Sequence, residues 1–429
     1  MQRTLYLFLL IFASWAVSAQ ELYFPPADGS TWDTLSPDAL NWCPEKIDEL
    51  YEYLDAEETF AFLVLKDGRI VLEKYFGDFT AESSWFWFSA GKSLRAVLFG
   101  IAQAEGHLEI QHPTSDYLGT GWTSLPPGQE AAITIWHQLT MTTGLDESDF
   151  SCITPGCLTY AADAGTRWVY HNGPYSLLKA VLEAATGLSH NAYTFSRIQE
   201  PIGMQSGFWV GFGNNDFFTS RARDMARFGL LVQNQGVWDG QAVLSDTAYW
   251  QAMLQPSQPL NPSYGYLWWL NGQPQHILPG SPEALNGPIA PNAPADLYLA
   301  AGGQGQFISI APSEGLMVIR QGSSNSTSLA ALALHNDIWE RLSDLECVTS
   351  TRAEGHLQPT IFPNPVREQL HIRQLPGPFS ARLFDAYGRE VDRWENKRTH
   401  SIAHLPAGPY LLQIESGQAV SWKRLVIAR

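Results

Sequence analysis

Thr59-Phe-Ala-Phe-Leu-Val-Leu65, Lys66-Asp-Gly-Arg69 and Ile70-Val-Leu-Glu-Lys-Tyr-Phe76 form two apolar runs joined across an Asp-Gly turn. Asp-Gly tolerates the positive φ values of a two-residue turn, so the stretch predicts a β-hairpin. Upstream, Pro44 to Glu58 opens on a proline, carries acids in its first turns and spaces its apolar residues helically, which predicts a helix. Far downstream, Leu297 to Ala301, Phe307 to Ala311 and Leu316 to Gln321 read as further strands, with Ala330 to Leu342 in a helical pattern. Between the two ends the pattern is largely helical. Strands at both ends of one region therefore predict an α+β fold: one antiparallel sheet drawn from N- and C-terminal segments, flanked by helices, with an inserted helical domain.

The chain has 429 residues, 45% hydrophobic and 16% charged, which supplies a large core and excludes intrinsic disorder. Arg3, the apolar run Leu5 to Ala16 and the small residues Val17-Ser18-Ala19 follow the order of a signal peptide. Residues 1–19 are thus expected to be removed, leaving a mature chain from Gln20. No later segment reaches the roughly 18 apolar residues of a membrane span, so an exported chain without a transmembrane segment is expected. Residues 359–429 carry ten basic and six acidic side chains, whereas the rest of the mature chain carries 15 and 37. So acidic a protein is a poor partner for nucleic acid or an anionic membrane. The polar stretch Val348 to His356 lies where the charge changes sign, dividing the mature chain into a main region (20–347), a linker (348–358) and a tail (359–429).

Export admits disulfides, and there are four cysteines. Cys152 and Cys157 flank a Pro-Gly turn and are expected to pair, which by elimination pairs Cys43 with Cys347. Four free thiols are the other reading. Neither a CxxC pair nor an HExxH helix suggests a metal, and no cofactor is expected.

The tail reads as a small all-β sandwich, with runs at Leu370 to Arg373, Ala381 to Asp385, Tyr410 to Glu415 and Lys423 to Ile427 between Gly- and Pro-bearing turns. Three segments carry a resemblance: Phe362-Pro-Asn-Pro-Val366, Leu383-Phe-Asp-Ala-Tyr-Gly-Arg389 and Leu405-Pro-Ala-Gly-Pro-Tyr410. Through them the tail resembles the C-terminal sorting domain of type-nine secretion. The resemblance implies that residues 359–429 engage the secretion machinery and that the protein ends up secreted or on the cell surface. An ordinary accessory sandwich is the plainer alternative.

The chemistry centres on Trp85-Phe-Trp-Phe-Ser89-Ala-Gly-Lys92-Ser93, followed by Leu94 to Glu105 at helical spacing. If Ser89 starts that helix, Lys92 lies one turn on along the same face, within reach of the hydroxyl. The apolar residues before the serine would desolvate the lysine and lower its pKa toward that of a base. The helix N-terminus would favour a developing oxyanion. Alone, Ser-x-x-Lys occurs by chance. Tyr170-His171-Asn172 lies 81 residues beyond the serine and heads the helical run Pro174 to Thr186. A tyrosine phenol can relay a proton if nearby cations hold its pKa down, and an asparagine amide can orient a lysine or a carbonyl.

With Ser-x-x-Lys followed by Tyr-x-Asn, the main region resembles the serine β-lactamase and penicillin-binding-protein superfamily. The likeness is greatest to its class-C-like branch of esterases, D-aminopeptidases and aminohexanoate-oligomer hydrolases. Ile133 to Gly144, Glu200 to Met204, Arg221 to Leu230 and Tyr264 to Trp268 extend it. The resemblance implies a β-lactamase-like fold, with Ser89 as the acylated nucleophile, Lys92 as its base partner, Tyr170 as proton relay and Asn172 as a polar clamp. The third family motif departs: Ala301-Gly302-Gly303-Gln304-Gly305-Gln306 has glycine where a cation is expected. The family reading still assigns Gly303, Gly305 and Gln306 to substrate and oxyanion contacts, with Gly305 giving close backbone approach and Gln306 its N–H. Without Lys or Arg there, recognition of a substrate carboxylate is in doubt, which favours an esterase or amidase over an efficient β-lactamase.

His137 and His171 fit no triad and read as structural. Trp85, Trp87, Trp122, Trp168, Trp209, Trp268 and Trp269 would either wall an aromatic cleft or fill the core. The expectation is a secreted hydrolase acting through an acyl-serine on a small-molecule or peptide substrate. The other reading is a catalytically silent relative that binds peptidoglycan peptides or a protein partner.

Overall fold

At the Asp-Gly turn the chain reverses with φ of 47° at Asp67 and 83° at Gly68. It joins strands Thr59–Lys66 and Arg69–Tyr75 in an antiparallel hairpin. A Cβ on Gly68 would lie 2.0 Å from the Tyr23 carbonyl oxygen, so the turn has no room for a side chain where it meets the N-terminal segment. The structure is a computed structural model describing residues 22–324, 331–347 and, within 359–428, all but 374, 376, 386, 387 and 418. The expected signal peptide (1–19) and linker (348–358) lie outside the described residues. The chain falls into two compact units, 1–347 and 348–429.

In the first unit the hairpin is one edge of a six-stranded antiparallel sheet. Thr59–Lys66 pairs with Leu316–Gly322, then come Gln306–Ala311, Tyr298–Gly302 and the short Trp269–Leu270. Segments far apart in sequence thus share one sheet, as the two-ended strand pattern predicts. Its inner strands are buried on both faces, which explains their nearly unbroken apolar runs. Helices Pro44–Ala56 and Leu332–Ser343 pack together, the first also against Thr59–Lys66, while Ala222–Gln233 packs on the central strands. A Cβ on Gly229 would meet Met317 Sδ at 2.5 Å, so glycine lets that helix approach the sheet closely.

The helical middle surrounds Gly91–Ala104, whose residues from Gly91 to Ala102 are all buried. It packs against Asn172–Thr186 and Thr247–Met253. Ser84–Phe86, Asn215–Arg221 and Phe208–Phe212 add a three-stranded antiparallel sheet. Cys43 and Cys347 are disulfide-bonded with Cα atoms 4.9 Å apart, and Cys152 is bonded to Cys157.

The second unit is a two-sheet sandwich. Thr360–Phe362, Gln369–Arg373 and Thr399–Ser401 form one sheet; Glu390–Glu395, Ser380–Phe384, Gly408–Ser416 and Ala419–Ile427 form the other. Its own core includes Leu370, Leu383, Trp394, Leu412 and Leu425. The Phe-Pro-Asn-Pro motif has a local job: Asn364 donates to the Arg424 carbonyl at 2.9 Å and accepts from Val426 N–H at 2.9 Å, stitching the entry of the unit to its last strand.

Candidate active site

Ser89 stands in a 3-10 turn, Phe88–Ala90, that runs directly into helix Gly91–Ala104. Phe88 takes φ 48°, an uncommon conformation for a bulky residue, and the surroundings hold it there. Trp87 N–H donates to the Phe218 carbonyl at 2.8 Å, and its indole donates to Ser220 Oγ at 2.9 Å. Lys92 follows one turn later, only 2% exposed, and donates to Ser89 Oγ at 3.3 Å. Burial lowers its pKa well below the ordinary lysine value, and the nearby Arg95 charge lowers it further while Asp216 opposes.

Tyr170 is buried, with its phenol towards Ser89. Burial raises its pKa and the nearby serine opposes that, so the phenol stays protonated. The sequence expectation of a relay held down by neighbouring cations is corrected on this point: a neutral phenol faces the serine. Asn172 opens helix Asn172–Thr186, and its Oδ1 is buried with no partner among the described residues. Ser89, Lys92 and Tyr170 thus converge on one another, and Asn172 follows two residues after the phenol with an unused acceptor.

At the third motif, Gly302 makes the close approach to the nucleophile. A Cβ there would lie 2.2 Å from the Trp87 carbonyl oxygen and 3.1 Å from Ala90 N. Gly303 follows it in the turn. Gly305 lies instead against Arg320 and Leu334, and Gln306 is the ladder partner of Gly302. The Gln306 side chain bonds the Gly322 carbonyl at 2.7 Å and the Gly303 carbonyl at 3.2 Å. Both residues hold the turn from behind.

Sequence reading missed the support under Lys92. Arg95, fully buried, is ion-paired with Asp216, whose other oxygen lies 3.1 Å from His190 Nδ1. The Tyr175 ring has Lys92 Nζ 3.9 Å and the Arg95 guanidinium 4.4 Å from its centroid. Burial alone would raise the Asp216 carboxyl, but Arg95 and His190 hold it well below the usual range. Burial, with Arg95, pushes His190 down to about 4. An arginine within an otherwise apolar helical stretch is the one signal that could have pointed to this pair.

A cleft of about 620 Å³ opens beside the phenol, lined by Phe150, Trp168, Tyr170, Leu260 and Ile277, with the Glu147–Arg167 ion pair in its wall. Of the tryptophans read as cleft or core, Trp87, Trp122, Trp168, Trp209, Trp268 and Trp269 are buried, and Trp85 is half-buried. Asp149, Cys152 and Cys157 bring ligand-type atoms within 4.8 Å of one another, but the two sulfurs are bonded to each other and so are not thiolate donors. His137 completes a capping box with Thr134. Both His171 ring nitrogens are without a partner among the described residues.

Comparison with known proteins gives the family and the fold. A family model described as Beta-lactamase matches residues 47–336, and one described as Secretion system C-terminal sorting domain matches 360–428. The 6-aminohexanoate-dimer hydrolase of Paenarthrobacter ureafaciens is 23% identical over 266 residues, covering 54% of this chain and 67% of that protein. A Bacillus anthracis protein assigned as a 6-aminohexanoate-dimer hydrolase superposes with TM-score 0.56 at 19% identity, over 76% of this chain and 92% of its own. A penicillin-binding protein homolog from Caulobacter crescentus does so with TM-score 0.53 at 14% identity, over 71% and 98%. At such identities the two structures establish the fold.

Proposed function

The chain belongs to the beta-lactamase family, and from that premise we propose that it is a serine hydrolase working through an acyl-serine on an ester or amide bond. The observation that carries this is the contact of Lys92 Nζ with Ser89 Oγ at 3.3 Å, made by a buried lysine whose pKa is lowered. A neutral Lys92 amine takes the Ser89 proton as Oγ attacks the carbonyl carbon. The Tyr170 phenol passes its proton to the leaving oxygen or nitrogen and is reprotonated by the Lys92 ammonium, which returns lysine to its neutral form. Water then adds to the acyl-serine and releases the acid. The Ser89 N–H and a backbone N–H of the turn that follows Gly302 stabilise the oxyanion. Asn172 serves as the polar clamp that orients Lys92 or the substrate carbonyl.

Two observations support an ester or amide over a β-lactam. The Ala301–Gln306 segment offers no cation for a substrate carboxylate. The curated relative is named for hydrolysis of a 6-aminohexanoate dimer, a linear amide. The tail, through type IX secretion, places the protein at the cell surface or outside the cell.

Intact-mass measurement after exposure to a fluorophosphonate, and separately to a penicillin, tests the reading, with Ser89→Ala as control. A fluorophosphonate adduct on the native serine that the variant lacks is expected, with little or no penicilloyl adduct. No adduct on folded protein would point to the silent binding relative.

A further inference from the structure

A second cleft, of about 490 Å³, opens at the C-terminal end of helix Pro44–Ala56. Four aromatic residues line it, of which Phe76 is buried. Phe60 and Phe79 stack with centroids 5.5 Å apart, and Trp85 meets Phe60 edge to face at 4.9 Å. All three rings are half-buried, so part of each remains open to a ligand. Around them stand three exposed carboxylates, Asp55, Glu58 and Asp78. None has an ion-pair partner or a side-chain hydrogen bond among the described residues.

The electrostatics of this corner are unbalanced in one direction. The helix ends here, its last turn contains no basic residue, and its carbonyl end carries the negative pole of the dipole. Glu58 follows at φ 54°, a backbone conformation that favours glycine, held by Ser323 N–H donating to its carbonyl at 2.9 Å. Of the chain's own cations nearby, Arg320 is held by hydrogen bonds and Lys74 by ring contacts alone. Arg320 gives its N–H groups to Thr59 Oγ1 and to the carbonyls of Glu57, Gln304, Gly305 and Ser323. Lys74 stands over the Tyr51 ring at 5.5 Å and the Phe76 ring at 6.0 Å. The Trp85 indole Nε1 is buried with no acceptor among the described residues.

Rings that present their faces attract cations, and they prefer poorly hydrated organic ones because a small metal ion would have to shed its water. We propose that this cleft binds an organic cation, an alkylammonium group whose charge lies among Asp55, Glu58 and Asp78 and whose carbon surface rests on Phe60, Phe79 and Trp85. The site uses none of the groups assigned to acyl transfer, so its occupancy does not require a reactive serine.

Calorimetric titration of the full chain with choline, beside its uncharged isostere 3,3-dimethylbutan-1-ol, tests this. Saturable choline binding is expected in the millimolar range, with the alcohol weaker by at least about tenfold, since only the charge differs. Phe79→Ala and Asp78→Asn should each weaken choline by about three- to fivefold while leaving fluorophosphonate labelling of Ser89 at the native rate. The Ser89→Ala variant should bind choline as the native chain does, which separates this site from the serine. Absence of saturable binding, equal binding of the alcohol, affinity unchanged in both cleft variants, or affinity lost in Ser89→Ala would each overturn the assignment.

Discussion

Arg95 and Asp216 stand 121 positions apart, yet both act on Lys92: burial does most to lower its pKa, Arg95 lowers it further and Asp216 opposes. Lys92 is faced by Ser89 from the preceding 3-10 turn, Arg95 on its own helix, Tyr170 just ahead of helix Asn172–Thr186, Tyr175 on that helix, and Asp216 from strand Asn215–Arg221. Only its neutral form accepts the serine proton, so activity should rise with pH as Lys92 deprotonates. Arg95 lowers the lysine pKa. Arg95→Met is therefore expected to raise it and move the acid limb of the kcat/KM profile to higher pH. The variant should also lose about 3–5 kcal/mol of stability, because Asp216 remains buried without its main partner. A thermal scan beside the pH profile separates the two effects; an unmoved limb on folded protein would show that Arg95 only holds the fold. Gly302→Ala tests the opposite wall. Its methyl would lie inside contact distance of the Trp87 carbonyl and Ala90 N, pushing the strand off the serine, so acylation should slow by at least about tenfold at a stability cost of about 1–3 kcal/mol.

At the scale of elements, the segment 149–157 buttresses the phenol. The Phe150 ring stacks on Tyr170 at 6.3 Å, the Asn172 N–H donates to the Phe150 carbonyl at 3.1 Å, and the Cys152–Cys157 bond closes the loop behind them. Replacing both cysteines by serine is expected to cost about 2 kcal/mol at most, given so short a loop. The effect should be local: faster amide exchange in residues 149–173 and a several-fold lower kcat, with the global unfolding midpoint nearly unchanged. Which elements were legible follows from their physics. The hairpin, the strands after Leu297 and the nucleophile helix show strong periodicity because their burial is one-sided or complete. Strands Phe208–Phe212 and Asn215–Arg221 were not legible, since glycines, asparagines and exposed aromatics interrupt any alternation. Glu390–Glu395 in the tail hides behind charges on an outer strand. The serine, lysine and phenol could be read because their spacing is local or shared with a family. The close approach of Gly302 could not, because a run of glycine and glutamine carries no register of its own.

Over the whole molecule, the two ends of the first unit are brought together more than once. Cys43 N–H donates to the Leu345 carbonyl at 2.8 Å, Asn41 Nδ2 donates to the Cys347 carbonyl at 3.0 Å, and the Cys43–Cys347 bond spans 304 positions. Closing so long a loop restricts the unfolded chain strongly, so Cys43→Ser with Cys347→Ser should cost about 2–5 kcal/mol and lower the unfolding midpoint by several degrees. Activity at 25 °C should be retained, because the serine, lysine and phenol are placed by the helical middle and Gly302 by the central sheet, not by this closure. Each unit has an apolar core of its own, so a chain ending at residue 347 is expected to fold and to label at Ser89 as the full chain does. In cells that chain should remain behind the outer membrane, since delivery belongs to residues 360–428. Fractionation of cells carrying the full and shortened chains, with labelling of each fraction, reads both outcomes. Surface labelling by the shortened chain would show that something other than the tail delivers the enzyme.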